Sequence, residues 1–233
     1  MKLLVSPTDV EEAKAAVDGG ADIVDVKNPT EGSLGANFPW VIAEVKALLP
    51  RGVELSATIG DLDFKPGTAS LAAYCVASLD VDYVKAGFYG VVNEVQALEM
   101  GRALKRAISG TGSRLVIAGY ADHEEIGSID PFSLPEIARR VNAHGVMVDT
   151  ARKNGVGLLK HVGIDAIEAF VVESKNAGLM SALAGSLDFD DLTALKGIQP
   201  DVIGIRGLAC MGGDRDKGRI SAERVERIRA FIR

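Results

Sequence analysis

The sequence predicts a (β/α)8 TIM barrel of the α/β class, and three observations carry that expectation. Eight short apolar runs are spaced roughly thirty residues apart along 233 residues. Amphipathic stretches of helical period lie between them. Charged residues recur at the C-terminal ends of like-numbered runs, the rim on which barrels of this kind build their sites. Runs that are continuously apolar, rather than alternating, belong to strands covered on both faces, as in a parallel sheet. Strand and helix in alternation give a parallel α/β architecture.

Taken in order, the strand-like runs are KLLVS (2–6), ADIVDVK (21–27), VELSATI (53–59), VDYVKAGF (81–88), RLVIAGYA (114–121), GVMVDTA (145–151), GLMSALAG (178–185) and DVIGIRGL (201–208). The helix-like stretches are 6–20, 39–50, 93–109, 130–145, 158–178, 188–200 and 221–233. The first opens with Pro7 and Asp9 and stops at the pair Gly19-Gly20, as helix start and stop signals require. No linker, low-complexity tract or composition shift divides the chain, so residues 1–233 are expected to form one catalytic domain. A doubly wound open sheet is the alternative architecture. It calls for a glycine-rich turn after its first strand, and here that strand ends in VSPTD.

Composition narrows the function classes. A hydrophobic content of 47% fills a sizeable core, and a net charge of -6 argues against a general nucleic-acid or membrane-surface binder. No apolar run approaches the length of a membrane span or a signal peptide, so a cytoplasmic protein is expected. Cys75 and Cys210 are too few for a disulfide framework and lack metal-ligand spacing. Cys75, inside SLAAYCVASL, reads as a buried free thiol. His123, His144 and His161 show no ligand spacing either; only His123, just after the fifth run, stands where a substrate passes. No cofactor and no metal are expected.

The chemistry sits at strand ends. Side chains two apart on a strand share a face, so Asp25 and Lys27 point the same way at the end of the second run. Lys85 ends the fourth run in the same manner; Asp149 closes the sixth, with Lys153 four residues on. Strands of like parity feed the same interior layers, so these five residues converge on one pocket. A charge inside a barrel is costly unless paired, which argues that the repeated placement serves a reaction. Clustered cations and desolvation lower a lysine pKa and free the amine as a nucleophile. Lysines with adjacent carboxylates are the parts of Schiff-base carbonyl chemistry; the residues alone leave open which lysine attacks. Loops after the seventh and eighth strands of such barrels commonly grip phosphate. Gly185, Ser186, Arg206, Gly207, Gly212 and Gly213 are the candidates there, with Arg215 as a second cationic fork. A second anion cradle is expected at EGSLGA, from Gly32, Ser33 and Gly35.

The long N-terminal motif LLVSPTDVEEAKAAVDGGADIVDVKNPTEGSLGANFPWVI, with DYVKAGFYG, MVDTARKNG and GIRGLACMGGDRDKGRI, resembles the (5-formylfuran-3-yl)methyl phosphate synthase family over essentially the whole chain. The resemblance implies a class I aldolase-like lyase of methanofuran-type cofactor biosynthesis. It would condense two molecules of glyceraldehyde 3-phosphate, releasing one phosphate and two waters. It further implies Lys27 as the Schiff-base lysine and Lys85 as the general acid/base, with Asp25, Asp149 and Lys153 in the same pocket. The partner is then a small phosphorylated triose, with no nucleic acid and no membrane; a homo-oligomer is left open. Two other assignments compete. Orotidine-phosphate decarboxylase and hexulose-phosphate synthase barrels carry an Asp-x-Lys followed three residues later by a second Asp, where this chain has Thr30. A catalytically idle barrel that senses phosphometabolites would have no use for Lys27 and Lys85 in one pocket.

Overall fold

The computed structural model describes residues 1–215 and 217–233. Eight parallel strands close into a barrel in sequence order, β1 (Lys2–Val5), β2 (Ile23–Val26), β3 (Glu54–Asp63), β4 (Tyr83–Gly90), β5 (Arg114–Tyr120), β6 (Gly145–Asp149), β7 (Met180–Leu183) and β8 (Val202–Ile205). β1 pairs with both β2 and β8, which completes the ring. The chain is thus a (β/α)8 TIM barrel, as its sequence predicts.

Alternation along each strand separates two cores. Leu3, Val5, Val24, Val26 and Val84 point outward and pack under the helices. Leu4, Ile23, Tyr83, Val116, Met147 and Val202 point inward and fill the barrel interior. The interior is therefore apolar around its middle, between the Lys2–Glu54–Arg114 cluster at the N-terminal end and the charges of the C-terminal rim.

The helices are α1 (Val10–Asp18), α2 (Pro39–Leu48), α3 (Pro66–Ala77), α4 (Glu94–Ala107), α5 (His123–Ile126), α6 (Leu134–Arg140), α7 (Leu158–His161), α8 (Ile164–Asn176), α9 (Phe189–Ile198) and α10 (Ala222–Ile232). Short polar side chains start several of them: Asp9 caps α1, Asn93 caps α4, and Asp188 forms a reciprocal capping box with Asp191 at α9.

Four differences from the sequence expectation have local causes. The stretch 130–145 yields only a 3-10 turn at Pro131–Ser133 and the short α6, because Asn142 adopts a left-handed φ of 54°. The stretch 158–178 is two helices, since Val162 is extended and Gly163 starts α8 afresh. Helix α3 is absent from the expected set. Its sequence PGTASLAAYCVA has apolar or small residues on every face, so no 3.6-residue contrast marks it. Its inner face is Ala69, Ala73, Val76 and Ala77, while Leu71 and Tyr74 face outward. Cys75 lies on that outer face and is exposed, which corrects the expectation of a buried thiol; Cys210 is the buried one.

Candidate active site

The four residues predicted from strand parity, and Lys153 in the loop after β6, meet at the C-terminal rim. Asp25 and Lys85 belong to β2 and β4, Asp149 ends β6, and Lys27 directly follows β2. Asp25, Lys27, Lys85 and Asp149 are all at most 5% exposed. Lys85 Nζ donates to Asp25 Oδ2 at 2.5 Å. The other Asp25 oxygen accepts from Ser56 Oγ at 2.6 Å, and Ser6 Oγ reaches Oδ2 at 3.1 Å. Lys153 Nζ donates to Asp149 Oδ1 at 2.6 Å and to Thr150 Oγ1 at 3.0 Å. Asp149 also accepts from the Thr150 N–H at 2.7 Å.

Lys27 differs from the other two lysines. Its Nζ donates to the backbone carbonyl of Ser33 at 3.2 Å, a neutral acceptor. Burial lowers its pKa to about 7 from the usual 10.5; Asp149 works against that fall, and Lys85 and Lys153 reinforce it. For the carboxylates burial acts upward, but the neighbouring lysines prevail. Asp25 is held below its ordinary range by Lys85 and Lys27, and Asp149 well below it by Lys153 and Lys27. Two lysines are matched by two carboxylates, and the third, Lys27, faces a neutral carbonyl with its pKa lowered.

A cavity of about 480 Å³ opens above these groups. Its walls include Lys27, Lys85, Asp149 and Lys153 on one side, and the loops after β7 and β8 on the other. Of the predicted phosphate residues, Gly185, Ser186, Arg206, Gly207 and Gly213 line it, as does Arg215. Gly212 has a φ of 71° and shapes the turn before Gly213. Ser186 also takes a left-handed φ, 50°, in the bend after β7. The Arg206 guanidinium is engaged elsewhere: it meets Glu12 at 2.7 Å, the Ser6 carbonyl at 2.9 Å and the Arg215 carbonyl at 3.1 Å. Its charge borders the cavity while its donors tie the loop after β1 and helix α1 to the loop after β8. His123 is not among the described residues lining the cavity.

The expected anion cradle at 31–36 is not built as one. The Leu34 N–H goes to Asp61, the Gly35 N–H to the Gly32 carbonyl, and the Gly32 N–H to Pro29. Ser33 Oγ donates to the Thr150 carbonyl at 2.7 Å. With these donors directed inward, the segment serves Lys27 through the Ser33 carbonyl. Among the described residues no group of three His, Cys, Asp or Glu side chains fits a metal ion, and no helix is long and apolar enough to cross a membrane.

Several residues of the site were not singled out from sequence. Ser6 shares the inward parity of Leu4, and Ser56 is the register partner of Asp25 on β3, so period-2 counting finds them once the barrel is assumed. Asp61 and Tyr120 are harder. Tyr120 closes β5 with no charge to mark it. Asp61 lies beyond the predicted end of β3, after an irregularity in the β3–β4 register that breaks the count.

The comparisons with known proteins agree on one family. The model described as 4-HFC-P synthase matches residues 3–229. The (5-formylfuran-3-yl)methyl phosphate synthase of Methanocaldococcus jannaschii is 47% identical over 235 residues, covering 100% of both chains. The protein of the same name from Archaeoglobus fulgidus is 50% identical over 215 residues, covering 91% of this chain and 92% of its own. Among solved structures, orotidine 5'-phosphate decarboxylase from Pyrococcus horikoshii superposes with a TM-score of 0.65 at 18% identity, covering 98% of each chain. Phosphoribosyl anthranilate isomerase from Thermus thermophilus does so with 0.64 at 15%, covering 100% of this chain and 98% of its own; at such identities these two speak for the fold alone. Full-length similarity of this degree, on a barrel of the same architecture, establishes that the chain belongs to the (5-formylfuran-3-yl)methyl phosphate synthase family.

Proposed function

We propose that the chain condenses two molecules of glyceraldehyde 3-phosphate into (5-formylfuran-3-yl)methyl phosphate, with loss of one phosphate and two waters, through an imine on Lys27. The product is a precursor for the furan of methanofuran-type cofactors. The observation that supports this most directly is the unequal pairing of the three lysines. Lys85 and Lys153 each hold a carboxylate, whereas Lys27 meets only the Ser33 carbonyl and has a pKa of about 7. At neutral pH a large share of Lys27 is then the free amine, which is a nucleophile.

In this scheme the Lys27 amine attacks the aldehyde carbon of a triose phosphate. Lys85, beside Asp25, donates the proton on which the carbinolamine loses water. The resulting protonated imine withdraws electrons and acidifies the adjacent carbon. Lys85, having given up its proton, takes the one from that carbon. Both phosphate loss and carbon–carbon bond formation draw on the carbanion character so produced. Six carbons from two trioses then close the ring as the two waters leave, and hydrolysis returns Lys27. Asp149 and Lys153 orient the hydroxyl and carbonyl oxygens of the substrate. The loops at Gly185, Ser186 and Gly207 take the phosphate through backbone N–H groups, beside the turn that Gly212 and Gly213 shape, in the positive field of Arg206.

Reductive trapping tests it. With glyceraldehyde 3-phosphate and cyanoborohydride, the native protein should gain one triose adduct that peptide mass spectrometry places on Lys27. Lys27→Ala should lose both the adduct and turnover. Lys85→Ala should still give the adduct on Lys27, formed more slowly because water must protonate the carbinolamine, while turnover falls by roughly 10²–10⁴-fold, the usual range for a lost acid/base group. An adduct that persists in Lys27→Ala and vanishes in Lys85→Ala exchanges the two roles. No adduct on the native protein refutes the imine and favours a barrel that only binds phosphorylated metabolites.

A further inference from the structure

Against the segment that holds the Ser33 carbonyl lies a pair, one member buried and the other partly so, which the scheme above does not use. Tyr120, fully buried at the end of β5, donates its hydroxyl to Asp61 Oδ1 in a short hydrogen bond. The other oxygen, Asp61 Oδ2, accepts the Leu34 N–H at 2.9 Å. Two glycines make room for this arrangement. A Cβ on Gly87 would fall on the Tyr120 hydroxyl and within 2.7 Å of Asp61 Oδ1; a Cβ on Gly32, whose φ is 137°, would strike Asp61 Oδ2. The register of β3 against β4 slips on both sides of Asp61, and Gly60 has a φ of 105°. Such an irregularity re-aims one side chain of a strand, and here it turns a carboxylate inward.

We propose that Asp61 and Tyr120 are positioning residues, a clamp that fixes segment 32–35 and through the Ser33 carbonyl aims the Lys27 amine into the cavity. An amine that donates one N–H to a fixed carbonyl has its lone pair directed away from that carbonyl. The clamp thus sets the attack direction without touching substrate, since neither residue is among those lining the cavity. From the opposite side Ser33 Oγ ties the same segment to the Thr150 carbonyl, just past β6. A carboxylate suits the task because one oxygen can take the segment's N–H while the other takes the phenol. Asp61 faces Tyr120, Asp149 and Lys27, and Lys27 in turn faces Asp149, Lys85, Lys153 and Asp25.

The inference rests on Lys27 being the imine lysine, so the native protein is the control. Trapping rates and steady-state constants are measured for the native protein, Asp61→Asn and Tyr120→Phe, with urea midpoints alongside. In both variants trapping at Lys27 should slow about 10- to 100-fold, the scale of a misplaced reacting group. KM should move less than about threefold, because the phosphate loops are untouched. In Asp61→Asn the pH midpoint of trapping should also fall, since a negative charge and a firm acceptor for the ammonium are both lost. If Asp61→Asn does not fold, Tyr120→Phe, which loses a single hydroxyl, decides alone. Native-like trapping rates in folded variants overturn the clamp while leaving the imine intact. So does a loss of turnover and KM together with an unmoved midpoint and a lowered urea midpoint, which marks a structural role only. A native protein without an adduct defeats the proposed reaction instead.

Discussion

The charge state of Lys27 can be read as a rate. Its pKa falls from 10.5 to about 7 on burial beside Lys85 and Lys153. At pH 7 roughly half of the amines are then neutral, against about one in 3,000 for an unperturbed lysine, a gain of roughly a thousandfold in nucleophile. The pseudo-first-order rate of borohydride trapping at a fixed, low triose phosphate concentration should rise about tenfold per pH unit below the midpoint and level off above pH of about 7. The second arm is Lys153→Met. It removes a cation that disfavours the Lys27 ammonium and leaves Asp149, which favours it, without its partner. Both changes raise the Lys27 pKa, so the midpoint should move to higher pH and trapping at pH 7 should slow, with the two curves converging in alkali. Intact-protein mass spectra across a pH series read both quantities. A native rate that climbs log-linearly to pH 9 would refute the depressed pKa. A midpoint that stays put in Lys153→Met would show that the cations around Lys27 do not act on it.

Two further outcomes check the frame around the site. Glu12, 2% exposed, meets Arg206 at 2.7 Å and also takes the Thr8 N–H and hydroxyl, both at 2.9 Å. Glu12→Gln strands a buried guanidinium and should cost about 3–5 kcal/mol in urea unfolding; a loss below about 1 kcal/mol would mean that the pair is no brace. Burial would lift the Glu12 pKa, but Arg206 overrides it and the net shift is downward from 4.5. The pair's contribution is therefore full above pH 4.5 and lost as pH falls through the lower folded value, a loss the Gln variant should not show. Under native conditions a maleimide should label Cys75, which is exposed, and reach Cys210 only after unfolding, since that thiol is buried and its pKa is pushed up by burial. Labelling of both at equal rates would contradict the placement of α3 and of the Cys210 segment.

Period-2 counting on β2, β4 and β6 was enough to bring Asp25, Lys27, Lys85 and Asp149 together, because a closed parallel barrel turns strand parity directly into position. Fold class was legible for the same reason: buried strands and amphipathic helices write different periods into the chain. Helix α3 escaped because its face contrast is missing, and Cys75 was misplaced with it. Which lysine stands unpaired was not legible. That depends on Asp25 reaching Lys85 across β3 and on Asp149 reaching Lys153 along its own loop, distances set by barrel closure. The roles of segment 32–35 and of Arg206 also belong to the tertiary structure. A segment that looks like an anion cradle, and an arginine that looks like a phosphate fork, show where their donors go only once Asp61, the Pro29 and Gly32 carbonyls and Glu12 are seen to occupy them. Sequence by itself determined which groups share the rim, since alternation and strand order are local properties of the chain. Tertiary structure alone decided how their charges pair, since pairing turns on ångström-scale distances between strands far apart in sequence.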